Sequence, residues 1–97
     1  MLLTLRDLEA IRDGKIDLVF RRWSRPSVRP GGTLKTRLGV LHIGRMDEIS
    51  PSEVTEDEAR RAGFADLAAF RQWLAKMKPG HLFHRIEVGF APARPEH

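Results

Sequence analysis

Four residues in a short stretch carry the sharpest chemistry in this chain: Arg21, Arg22, Trp23 and Arg25. A guanidinium can fork onto a phosphate, and an indole offers a face on which a base can stack. Arg37 and Arg45 extend the set if their strands lie nearby. The structural alternative is that these arginines pair with Asp17, Glu53 or Glu87 while Trp23 covers a sheet edge. Lys15 and Asp17 are two apart and could form a lysine–carboxylate pair, although a lysine just past a helix end also suits solvent.

Other chemistries find less support. Pro30-Gly31-Gly32, followed by Thr33 and Lys35, could hold an anion locally, but no phosphate-loop, dinucleotide or HExxH pattern occurs. Histidines 42, 81, 84 and 97 lack a convincing ligand spacing, so neither a metal nor a cofactor is expected. Ser24, Ser27, Ser50 and Ser52 have no neighbouring base and orienting acid. With no cysteine, disulfides and thiol chemistry are excluded.

Charge is unevenly spread. From Lys15 to Arg45 there are eight Lys or Arg against one acid, Asp17; from Met46 to Gly63 there are six acids against two arginines. The first stretch would steer an anionic partner. The acids of the second cluster where helices begin, which the helix dipole favours. A hydrophobic fraction of 41% in 97 residues suits one packed domain and argues against a disordered chain. The N-terminus has no leader-like apolar core, and no window is long and apolar enough to span a membrane. A cytoplasmic location is expected.

Several elements must position these residues. Thr4 to Asp13 reads as a helix capped by Thr4, striped by Leu5, Leu8 and Ile11 and closed by Gly14. Ile16 to Trp23 reads as a strand with Ile16, Leu18 and Phe20 inward and Asp17, Val19, Arg21 and Trp23 on the other face. Residues 24–32 are a loop. Thr33 to Asp47 is extended but interrupted by Gly39 and Gly44, giving two strands or one bent strand with bulges. Ser50-Pro51-Ser52-Glu53 and Thr55-Glu56-Asp57-Glu58 are two helix starts. Phe64 to Met77 is an aromatic-rich helix stopped by Pro79-Gly80. His81 to Phe90 is a closing strand with apolar residues on both faces. Residues 1–90 form one domain and 91–97 a frayed tail.

The ordered motifs resemble an ASCH domain of the PUA-like superfold. Gly14 through Arg21 resembles that family's Gly-x-Lys-x-x-x-x-Arg segment. Arg29 to Gly32 resembles the turn before its second strand, and Ile43 to Met46 the strand leading to its helical insertion. Glu58 with Ala62 to Leu67 resembles its acidic and Gly-Phe helical region, and Leu82 to Phe90 its closing strand. The resemblance implies an α+β fold, a small PUA-like β-barrel of strongly curved mixed sheet with helices across its openings. It also implies RNA binding or, in some members, hydrolysis of acetylated cytidine or of RNA. Aligned on Gly14 and Arg21, the family's catalytic lysine falls at Ile16 and its threonine at Val19, neither of which can act as base or nucleophile. Lys15 is one residue out of register, on the opposite face of a strand.

The expectation is a non-catalytic RNA- or nucleotide-binding module. Its basic groove would use Arg21, Arg22, Trp23, Arg25, Arg37 and Arg45. One alternative is a divergent hydrolase or ribonuclease using Lys15. Another is a protein-interaction or homodimerising module with an exposed Trp23 or Trp73 face.

Overall fold

The computed structural model describes residues 3–77 and 80–90. Its elements run α1 (Leu5–Arg12), β1 (Leu18–Trp23), β2 (Thr33–Thr36), β3 (Gly39–Glu48), a 3-10 turn (Pro51–Glu53), α2 (Glu56–Arg61), α3 (Leu67–Ala75) and β4 (Leu82–Phe90). The expected tail at 91–97 and Pro79 lie outside the described residues.

The strands form one strongly curved half-barrel in the order β1-β4-β3-β2, so the last strand sits inside the sheet. Every pairing is antiparallel, which corrects the expected mixed sheet. The barrel is also open: among the described residues β1 and β2 are the two edges and do not pair with each other. A curved sheet of only four strands is too narrow to close on itself with side chains inside.

Helices cover both faces, giving three layers and two apolar clusters. On one face Ile11 of α1 packs with Val19, Leu41, Ile43, Ile86 and Val88. On the other, Val54, Ala59 and Phe70 pack with Phe20 and Phe83. This explains a departure from the simple alternation expected of β1. Leu18, Val19 and Phe20 are all buried, and the successive side chains of Val19 and Phe20 enter different clusters. Val19 is therefore as much core as Phe20. β4 behaves as expected, sending Phe83 to one cluster and Ile86 and Val88 to the other.

Local signals fix the element ends. The Thr4 hydroxyl accepts the Asp7 amide at 3.1 Å, and Gly14 takes φ +78° so that the Lys15 amide can return to the Ala10 carbonyl. Thr55 and Glu58 cap α2 reciprocally, each accepting the other's backbone N–H. The long helix starts later than its periodicity suggests, because the Asp66 carboxylate accepts the Ala69 amide at 2.8 Å and makes Leu67 the first helical residue. Gly44 marks the expected irregularity: pairing of β3 with β4 shifts between Ile43 and Met46.

Candidate functional site

The structure distributes the six candidate residues over both faces of β1, the loop that follows it, a second cleft and the bulge of β3. Arg21 leaves β1 on the same face as Val19 and Trp23 and donates from Nη1 to the Phe20 carbonyl at 2.8 Å. It lines a cleft of about 220 Å³ at the free edge of β1. Asp7 and Ile11 come from α1, Ile16 and Val19 from the strand and its approach, and Phe64 and Trp73 from the α2–α3 segment. Burial pushes the Arg21 guanidinium down from its ordinary value, and the nearby Asp7 carboxylate only partly opposes this. The cleft thus combines one cation, one carboxylate and aromatic walls.

Gly63 lets Ile16 approach its backbone closely at this cleft. Its φ is +96°, and a Cβ there would come within 2.8 Å of Ile16 Cδ1. Ile16 reaches the cleft, whereas Lys15 stands exposed in the preceding turn and lines neither of the two clefts described here.

Arg22 lies on the opposite face of β1, across from Phe83. Trp23 returns to the Arg21 face, and its indole N–H donates to His84 Nδ1 at 2.8 Å. The two rings meet edge to face at 5.8 Å. His84 is the residue that sequence reasoning missed. It is 61 positions from Trp23, and only the β1–β4 register brings the two together. Arg25 and Arg29 are exposed on the loop that β1 feeds. That loop is anchored by backbone: the Gly31 amide donates to the Ile43 and Gly44 carbonyls, and the Gly32 amide to the Arg29 carbonyl. These N–H groups are therefore engaged within the chain and do not form the anion cradle considered for Pro30-Gly31-Gly32.

Arg37 lies in a second cleft, lined also by Lys35, Leu34 and the start of α1. Arg45 sits at the bulge of β3 and pairs with Asp47 at 3.3 Å. Arg21 and Arg37 thus occupy separate clefts, and Arg45 is engaged by an acid.

The ion pairs divide sharply by region. Asp47 and Glu58 both hold Arg85, Glu56 holds Arg60, and Asp17 holds Arg61 through two contacts of 2.9 and 3.2 Å. Of the acids named as structural partners for the basic stretch, Asp17 is taken by Arg61 and the Glu53 carboxylate accepts the Ser50 amide. Arg22, Arg25, Arg29, Lys35 and Arg37 form no ion pair among the described residues.

No protein-family model matches this chain, and no curated protein or solved structure matches it.

Proposed function

We propose that this protein is an RNA-binding module of the ASCH, PUA-like kind, acting by binding and not by turnover. The observation that carries the proposal is the set of arginines on the end of β1 and its loop, Arg22, Arg25 and Arg29, which meet no acid among the described residues. Cations that form no ion pair among the described residues are suited to phosphates, whose binding releases condensed counterions. The neighbouring cleft beside Arg21, walled by Phe64 and Trp73, would receive one unstacked base or nucleotide-like group. The order of helix, glycine turn, strand and capped helical insertion supports the ASCH reading. The hydrolase alternative runs through Lys15, which lines neither cleft, so no catalytic step is assigned to it.

Fluorescence anisotropy with a labelled single-stranded RNA tests this. With three phosphate contacts, the slope of log affinity against log salt should be about −2, a loss of roughly 20-fold between about 50 and 200 mM salt. Replacing Arg22, Arg25 and Arg29 together by Ala should flatten that slope and leave the fold intact. No binding at the lower salt would overturn the proposal.

A further inference from the structure

The edge of the sheet opposite β1 offers a different kind of surface. The Ile43 amide donates to the Gly32 carbonyl at 2.9 Å, and the register then runs Thr33–His42, Leu34–Leu41, Lys35–Val40 and Thr36–Gly39. In an antiparallel ladder, hydrogen-bonded pairs alternate with non-bonded ones. Leu34 and Thr36 therefore bond to β3, while Thr33 and Lys35 turn their backbone N–H and C=O groups outward. Both residues are exposed, and β2 has no other strand beside it among the described residues.

Between this edge and α1 lies a cleft of about 600 Å³, within the range of ligand pockets. Leu3, Leu5, Leu8 and Leu34 give it an apolar floor, with Lys35 and Arg37 as its cations. Leu5 stays 41% exposed although it belongs to the apolar stripe of α1. Its exposure follows from its place: it faces the cleft, whose floor no described residue covers.

We propose that this cleft binds an extended acidic peptide segment of a partner protein, added to the sheet beside β2. The outward groups of Thr33 and Lys35 would supply the backbone hydrogen bonds. Leu34 and Lys35 point to opposite faces of β2, so the added strand should alternate apolar and carboxylate side chains. Its apolar residues would lie beside Leu34 and the α1 leucines, and its carboxylates on the Lys35 side. Charge complementarity selects this occupant. A second copy would set Lys35 and Arg37 of one chain near those of the other, and like charges on an edge oppose such pairing. RNA fits the cleft poorly, because none of the described residues that line it is aromatic and able to stack on a base.

The test is an amide NMR titration of the full chain with a hexapeptide alternating glutamate with valine or leucine. Shifts should concentrate at Leu5 and at 33–37, with slowed exchange of the Lys35 amide. Combining Lys35→Glu with Arg37→Glu should weaken binding at least about tenfold, since each position loses an attraction and gains a repulsion. Leu5→Glu, at an exposed position, should weaken binding without unfolding the domain. Several results would overturn the proposal: equal binding of a peptide with lysine in place of glutamate, insensitivity to these variants, or no shifts at ~1 mM peptide. So would finding these amides moved by single-stranded RNA instead of peptide, or a dimer in which β2 is already protected.

Discussion

Residues 46–77 and residues 22–37 are built on opposite plans. In the first, charge is spent on structure. Glu58 caps α2 with one carboxylate oxygen and holds Arg85 with the other, while Arg85 reaches across to Asp47 on β3 at 3.0 Å. Arg61 ties the end of α2 to Asp17 just before β1. Beneath these pairs, Phe20, Phe70 and Phe83 meet at centroid distances of 5.1 to 6.0 Å. In the second region, arginines and a lysine form no ion pair among the described residues, on the end of β1, on β2 and on a connecting loop held by a few backbone bonds. A fold that pairs its charges in one region and leaves them open in another separates the part that secures shape from the part that can meet a partner.

Three measurements can break or sharpen this contrast. The largest effect should come from the aromatic cluster. Phe70→Ala should cost about 3–5 kcal/mol in urea unfolding, a large share of a small domain's stability. Next comes the ionic tie: Arg85→Met leaves Asp47 and Glu58 without their shared cation and should cost about 1–3 kcal/mol. By contrast, neutralising Arg22, Arg25 and Arg29 together should change stability by no more than about 0.5 kcal/mol. If that triple change proves as costly as Arg85→Met, the contrast between the two regions fails.

A fourth measurement, the pH dependence of stability, concerns acid. Hydrogen bonding to Arg85 holds the Asp47 carboxyl below its ordinary value. That interaction stabilises the fold fully above the unfolded carboxyl value of about 3.9, and it is lost as pH falls through the lower folded value. Asp47→Asn should therefore be less stable than the parent at neutral pH. The gap should shrink below about pH 4, as read from thermal unfolding at a series of pH values. A gap constant down to pH 2 would remove the charge of Asp47 as its cause.

Local grammar made much of the fold legible. Thr4 and Thr55 announce helix starts through hydroxyls that reach three residues ahead, and Gly14 and Gly44 mark a helix stop and a bulge. These signals depend on neighbours in sequence. What could not be read depends on register across long separations. Nothing in the stretch around Trp23 names His84 as its partner, and nothing around Asp17 names Arg61. The same limit applied to the candidate site. Five arginines and a tryptophan, close in sequence or on adjoining strands, suggested one groove, but the alternation of β1 sends Arg21 and Arg22 to opposite faces. The hairpin carries Arg37 to a separate cleft, and Asp47 takes up Arg45. Val19 shows the limit within one strand: alternation alone cannot tell whether the second face will be covered.

The strand order has a consequence for the making of this protein. β4 is translated last of the four strands yet lies between β1 and β3. On a ribosome adding about 5–20 residues per second, β1 waits roughly 3–12 s before Leu82 follows Trp23 out of the synthesis site. During that interval β1 and the β2–β3 hairpin each present an unsatisfied edge and an uncovered apolar face. A nascent chain stalled before β4 should be a strong client for chaperones, and release of the final strand should be the event that ends that dependence.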